Sequence, residues 1–268
     1  LSDALKAAIL GVIEGLTEFL PVSSTGHMII AYPLLGVDPE APLWHMFLIL
    51  CQLGAILAVV LFFWRDLCRQ MFHMPPGGWR SHLMTKLVVG CLPAAVFGLA
   101  LNDYIEAHLE TNPNAVAGAL IVGAIAMELI ERRYRRAGDM TIDDVTLRQA
   151  FLIGLAQCVA MFPGVSRAAA TIMGGLVVGL TPRVAAHFSF YLAIPTMLGA
   201  SLLRVVKHRS ELTTETAGVM GLGTAVAFGV ALAVIAMFLP YVQKHRFTPF
   251  AIYRIALGVA VLWWMSGR

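Results

Sequence analysis

Long apolar stretches constrain this chain more than any other feature. Six of them, at roughly 43–64, 84–101, 113–130, 183–203, 217–240 and 249–265, approach the about 20 apolar residues a helix needs to cross a hydrocarbon core. The chain is 59% hydrophobic and 13% charged, where a soluble domain carries about a quarter charged residues. Its mean hydropathy is +0.78. This reads as an all-α integral membrane protein forming a single membrane domain. The runs are continuous rather than alternating, which argues against a β-barrel. The N-terminal segment has no basic region, so no cleavable signal peptide is expected. A net charge of +3 reads as loop bias, not as a nucleic-acid surface. Cys51, Cys68, Cys91 and Cys158 show no metal-ligand spacing and read as small buried hydrophobes.

Two further apolar stretches are too short and broken. Residues 4–20 stop at Pro21 and resume at 25–36; residues 148–162 stop at Pro163 and resume at 167–180. Each pair predicts two half-helices meeting at a polar turn. Such a re-entrant hairpin is tolerated in a membrane only when buried in protein or lining a wet cavity.

The halves resemble one another at an offset of 143 residues: Ala7/Ala150, Gly11/Gly154, Ser23/Ser166 and Gly36/Gly179, with Glu14 opposite Gln157. The hydropathy order also repeats, a hairpin and then three spans. Because three is odd, the second unit enters from the opposite face. The expectation is six transmembrane helices plus two re-entrant helical hairpins in an inverted-topology repeat, about 1–130 and 144–268, with its site near the midplane.

Tracing that topology puts twelve basic residues on one side: Arg65, Arg69, Arg80, Lys86, Arg132, Arg133, Arg135, Arg136, Arg148, Arg183, Lys244 and Arg246. Five lie on the other: Lys6, Arg204, Lys207, Arg209 and Arg268. The richer side is expected to be cytoplasmic. Both termini and the first hairpin's opening then face the exterior, as does the acidic loop Asn102–Glu110.

The two turns carry the chemistry. Ionisable groups at membrane depth are costly and usually functional. Glu14 and Glu18, four apart, share one helix face. Two adjacent carboxylates need a hard divalent cation, Mg²⁺ or Ca²⁺, or a shared proton that makes one a general acid or base. Ser23-Ser24-Thr25 follows Pro21, so one serine is expected to cap the next helix while the other acts. A helix N-terminus there also suits an anion. His27 lies three residues past Ser24, within reach of its hydroxyl as base, or is itself a nucleophile. In the second turn Ser166 is a cap, Thr171 sits a turn further in, and the Arg167 guanidinium forks onto phosphate oxygens or pairs with Glu14 or Glu18. Gln52, Gln157 and His45 either line the same cavity or satisfy broken backbone. Arg254, a few residues into the last span, is expected to snorkel to the cytoplasmic interface.

On these residues the chain resembles the undecaprenyl-diphosphate phosphatase family, bacterial membrane enzymes linked to bacitracin resistance. The stretch from Glu14 to His27, Glu-Gly-Leu-Thr-Glu-Phe-Leu-Pro-Val-Ser-Ser-Thr-Gly-His, matches its glutamate-rich signature. Pro163-Gly-Val-Ser-Arg167 with Thr171 matches the second, with Ala168 replacing a serine. The resemblance implies hydrolysis of undecaprenyl diphosphate to undecaprenyl phosphate, a divalent-cation requirement and a site facing the periplasm of the bacterial inner membrane. Partners are then the bilayer and a polyprenyl diphosphate lipid, with a homodimer left open.

The mechanism expected is attack by Ser24 on the terminal phosphorus, with His27 or Glu18 taking its proton. Arg167, Ser166, Ser23, Thr25 and Thr171 bind phosphate, and Glu14 and Glu18 hold the metal. Attack by His27, or by water activated by Glu18, stays open. A secondary transporter or flippase for an anionic lipid or solute is the rival, since inverted repeats and broken helices serve transport too.

Overall fold

Prolines mark several of the helix boundaries in the apolar chain, at Pro21, Pro42, Pro113, Pro163 and Pro182, while Pro33, Pro93, Pro195 and Pro240 lie within helices. The computed structural model describes all residues except 73, 76, 109–111, 208–213 and 267–268. Arg209, Glu110 and Arg268 of the charge pattern thus lie outside the described residues. Among those described there are eleven α-helices and no strand. In chain order they are α1 (Asp3–Thr17), α2 (Ser24–Leu35), α3 (Pro42–Phe62), α4 (Trp64–Phe72), α5 (Leu83–His108), α6 (Pro113–Tyr134), α7 (Leu147–Cys158), α8 (Arg167–Val177), α9 (Pro182–Lys207), α10 (Thr214–Lys244) and α11 (Thr248–Ser266).

Five of them are long and apolar enough to cross a membrane: α3, α6, α9, α10 from Thr216, and α11. In α5, on which the expected span 84–101 falls, the described apolar stretch Leu83–Gly98 is shorter. Helices begin where the chain supplies caps. Pro42 and Pro113 occupy the first turns of α3 and α6, where a missing N–H costs nothing. Thr146 and Gln149 form a capping box at the start of α7.

Each of the two broken stretches forms a pair of short helices, α1–α2 and α7–α8. Each of the four offset pairs occupies a matching local setting. Ser23 (φ 70°) and Ser166 (φ 73°) are the positive-φ non-glycine residues among those described, and each caps the helix that follows. Gly36 (φ 61°) and Gly179 (φ 94°) end the second half-helices in left-handed geometry, which suits glycine. Gly11 packs its Cα on the carbonyl of Gly223 in α10, and Gly154 on that of Gly90 in α5. The carbonyls of Ala7 and Ala150, both fully buried, in turn face Gly223 and Gly90. So α1 lies against α10 as α7 lies against α5, each through a glycine crossing where a larger residue would force the helices apart.

The main core fills the space behind the two turns. Phe19, beside the first turn, meets Phe190 of α9 edge to face at 5.5 Å. Phe190 continues to Phe238 of α10, which packs on Phe247 and Phe250. This aromatic layer packs the first turn onto α9 and α10.

Candidate active site

Helix α1 ends at Thr17, and Glu18 is its C-cap. Pro21 cannot continue the helix, and the chain turns back through Val22 to Ser23. The Ser23 hydroxyl accepts the Gly26 N–H at 3.4 Å. This frees Ser24, the first residue of α2, to donate its hydroxyl to Glu18 Oε2 at 2.8 Å. Of the two serines, Ser23 caps and the half-buried Ser24 lines a cavity with its hydroxyl on Glu18.

The second turn runs through a short 3₁₀ segment, Val159–Met161, then Pro163 and Gly164. Gly164 (φ 93°) passes so close to α6 that a Cβ would stand 2.5 Å from the Val116 carbonyl. Ser166 then caps α8, its hydroxyl accepting the Ala169 N–H at 3.2 Å. Arg167 opens the helix. Its Nη2 donates to Glu18 Oε1 at 3.1 Å and its Nη1 to the Ser189 carbonyl at 3.3 Å. The guanidinium carbon lies 5.5 Å from the Phe19 ring centroid, a cation–π contact.

Glu18 therefore joins the turns, one oxygen on Ser24 and the other on Arg167. A cavity of about 160 Å³ opens over this junction. It is lined by Glu18, Ser23, Ser24 and Thr25 from the first turn, by Pro163, Gly164, Ser166 and Arg167 from the second, and by Gln52 of α3. Hydroxyls, a guanidinium and two helix N-termini facing one small polar space suit a phosphate group.

Two expected site residues, His27 and Thr171, do not line this cavity, and Arg254 is not at the interface expected for it. His27 does not contact Ser24. Its Nδ1 donates to the Ser23 carbonyl at 2.7 Å, and its Nε2 meets the Tyr253 hydroxyl at 2.7 Å. A carbonyl can only accept, so Nδ1 carries the hydrogen and Nε2 accepts from Tyr253. Spacing alone leaves Ser24 and His27 on neighbouring parts of α2, but the Ser23 carbonyl and Tyr253 of α11 hold the ring. Thr171 is fully buried, and its hydroxyl bonds the Ser189 hydroxyl at 2.6 Å and the Arg167 carbonyl at 2.8 Å. It faces α9, one turn beneath the cavity, and braces Arg167. Arg254 does not snorkel. It is wholly buried, because the carbonyls freed at the two chain breaks offer it acceptors inside the protein.

Glu14 is also fully buried, and neither carboxyl oxygen has a hydrogen-bond partner among the described residues. It lies within electrostatic reach of Glu18 and Arg167. Such orphaned oxygens are what a hard cation needs, and Mg²⁺ keeps several waters, so one or two carboxylates suffice. The unpartnered Glu14 oxygens are free to serve as ligands, while Glu18 already serves Ser24 and Arg167, and the described residues hold no cluster of three or more His, Cys, Asp or Glu for a metal. Gln157, the offset partner of Glu14, is likewise buried with an unpartnered oxygen, Oε1.

Sequence reasoning missed Tyr253, Ser189 and the true setting of Arg254. The one available signal was Arg254 itself, a lone cation in an apolar span.

Comparison with known proteins decides the family. Residues 7–260 match the bacitracin resistance protein BacA family. The chain belongs to it. An undecaprenyl-diphosphatase of Novosphingobium aromaticivorans is 48% identical, covering 98% of each chain. One from Thermoanaerobacter sp. strain X514 is 44% identical over 96% of this chain and 95% of its own. Undecaprenyl-diphosphatase 2 of Rhodospirillum rubrum is 45% identical over 96% and 93%. The Glu18 junction thus belongs to a chain whose relatives, along nearly their full length, are named as phosphatases.

Proposed function

We propose that this protein hydrolyses undecaprenyl diphosphate to undecaprenyl phosphate and inorganic phosphate, recycling the lipid carrier for cell-wall synthesis. The observation that carries the reading is the Glu18 carboxylate, bonded at once to a serine hydroxyl and a guanidinium over a cavity of about 160 Å³. Named relatives at 44–48% identity support the same reaction. None of their names describes transport, so the secondary-transporter reading gains no support.

In the proposed reaction, Arg167 and the N–H groups opening α2 and α8 hold the diphosphate, while Ser23, Thr25 and Ser166 line its pocket. Arg167 exchanges its bond to Glu18 for one to phosphate. Glu18 then accepts the Ser24 proton as Ser24 Oγ attacks the terminal phosphorus. The P–O bond to the bridging oxygen breaks, and undecaprenyl phosphate leaves. Glu18 passes that proton to the departing phosphate oxygen, then takes one from the water that attacks the phosphoserine and returns it to Ser24 Oγ as phosphate leaves. Glu18 is the preferred base over His27 because Glu18 is hydrogen-bonded to Ser24 and His27 is not. A divalent cation bound by Glu14 and Glu18 would neutralise phosphate charge. Positioning and charge stabilisation supply most of the rate, as in other phosphoryl transfers.

The proposed setting is the bacterial inner membrane, with six spans, two re-entrant hairpins and an inverted repeat of about 1–130 and 144–268 in one domain. The matched geometry of Ser23 with Ser166, Gly36 with Gly179 and Gly11 with Gly154 supports that repeat. The distribution of basic residues supports an exterior-facing site and both termini outside. The decisive experiment is phosphate release from a prenyl diphosphate by purified protein in detergent, where transport is undefined. Stoichiometric phosphate and prenyl monophosphate are expected; intact substrate beside folded protein would reject the reaction.

A further inference from the structure

The turn serines are held in a conformation that L-residues avoid, and such strain persists only where the surroundings enforce it. One side chain grips both turns. Arg254 of α11 donates from Nη1 to the carbonyls of Pro21 (3.2 Å) and Val165 (2.8 Å), from Nη2 to those of Gly164 (3.1 Å) and Ala119 (3.2 Å), and from Nε to that of Leu120 (3.3 Å). Pro21 belongs to the first turn, Gly164 and Val165 to the second, and Ala119 and Leu120 to α6. All five acceptors are carbonyls, so the guanidinium charge is not matched by a carboxylate in contact. Gly123 leaves it room, since a Cβ there would collide with Nη2.

We infer that Arg254 is a positioning residue for phosphoryl transfer, which locks the two turns together and aims the Ser166 N–H at the transferring phosphate. This rests on the phosphatase reading. In a planar trans peptide the C=O of Val165 and the N–H of Ser166 point in opposite directions. Pulling that C=O onto Arg254 at 2.8 Å turns the N–H away from α11, and Ser166 lines the cavity. The same grip polarises the peptide, making its N–H a better donor to a growing negative charge. Only a planar fork with five N–H groups meets five carbonyls spread over three segments. Lysine, with three donors, cannot hold both turns and α6 together.

The test compares wild type with Arg254→Lys, Arg254→Met and Gly123→Ala, which pushes the guanidinium aside and keeps its charge. Activity is measured per folded molecule, with melting in detergent and inhibition by orthovanadate and by phosphate. The expected result for Gly123→Ala and Arg254→Lys is kcat reduced about 10²-fold, the scale for losing one preorganised donor, with KM within about twofold. Orthovanadate, which resembles the five-coordinate state, should weaken in step with kcat while phosphate inhibition holds. Arg254→Met should lose more. Equal weakening of both inhibitors, or full turnover per folded molecule in Gly123→Ala, would overturn the inference. Wild type without phosphate release would sink the phosphatase reading and this inference together; an active wild type with an equally active Gly123→Ala sinks the inference alone.

Discussion

Arg167 donates to Glu18 at 3.1 Å across 149 residues of chain, and both side chains are nearly enclosed, 13% and 9% exposed. Removing one partner of a buried pair leaves an uncompensated charge, at about 3–5 kcal/mol. Arg167→Ala should therefore lose stability as well as turnover. Arg167→Lys separates the two. It keeps a charge near Glu18 but cannot fork onto phosphate, so kcat/KM for a prenyl diphosphate should fall ~10²-fold with a smaller change in melting. Replacing both partners, Arg167→Met with Glu18→Met, should recover the melting temperature without recovering turnover. Near-wild-type phosphate release by either Arg167 variant would remove the clamp.

Ser23 and Ser24 are neighbours with different work. Ser23 caps α2 while Ser24 bonds Glu18. Ser24→Ala should abolish phosphate release in a protein that melts normally. Ser23→Ala should cost about 1 kcal/mol of stability, the usual loss for an N-cap, and retain part of its turnover. Rapid quenching with labelled prenyl diphosphate should put phosphate on the peptide containing Ser24. A fully active Ser24→Ala would end its candidacy as nucleophile.

Thr171 tests the difference between touching phosphate and bracing the group that does. Its hydroxyl bonds Ser189, whose carbonyl accepts from Arg167. Thr171→Val keeps the shape and leaves the buried Ser189 hydroxyl short of a partner, which costs about 1–3 kcal/mol. The melting temperature should drop while KM changes little. A KM increase at constant melting temperature would mean that Thr171 binds phosphate directly.

The site was legible where polarity broke an apolar pattern. Glu18, Ser24, Ser166 and Arg167 stand out because ionisable and hydroxyl groups at membrane depth need a reason. The breaks at Pro21 and Pro163, and the weak offset repeat, were legible for the same cause: the backbone must satisfy its hydrogen bonds or turn. Contacts set by tertiary packing were not. His27 is three residues from Ser24, yet its partner is Tyr253, 226 residues away. Spacing gives the face of a helix but not its neighbour. Arg254 was misread because depth along a span says nothing of the carbonyls that two distant chain breaks bring to it. The expected span 84–101 falls on α5, whose described apolar stretch, Leu83–Gly98, is shorter than the five that are long enough to cross and contains Lys86.

Glu14 gives the cation proposal its own test. Its oxygens are buried and unpartnered, so a bound cation would find free ligands there. Chelator should suppress phosphate release, and Mg²⁺ or Ca²⁺ should restore it. In Glu14→Gln the concentration of cation needed should rise about tenfold, equivalent to ~1.4 kcal/mol, because an amide is a weaker ligand. Equal cation response in Glu14→Gln and wild type would exclude Glu14 as a ligand.

The paired crossings make a prediction about the fold itself. Exposed helical Gly→Ala substitutions usually gain up to about 1 kcal/mol, and at Gly199 of α9 a Cβ would meet nothing within 4 Å. At Gly11 a Cβ would stand 2.6 Å from the Gly223 carbonyl, and at Gly154 it would press on the Gly90 carbonyl. Neither obstacle is a flexible side chain, so the helices must separate. Overpacking of that kind costs roughly 1–3 kcal/mol. Gly11→Ala and Gly154→Ala should both melt lower than wild type in detergent, and Gly199→Ala should not. If α1 on α10 and α7 on α5 are equivalent crossings, the two losses should be similar in size. A large loss at one and none at the other would show that the halves, alike in sequence position, do not share a packing role.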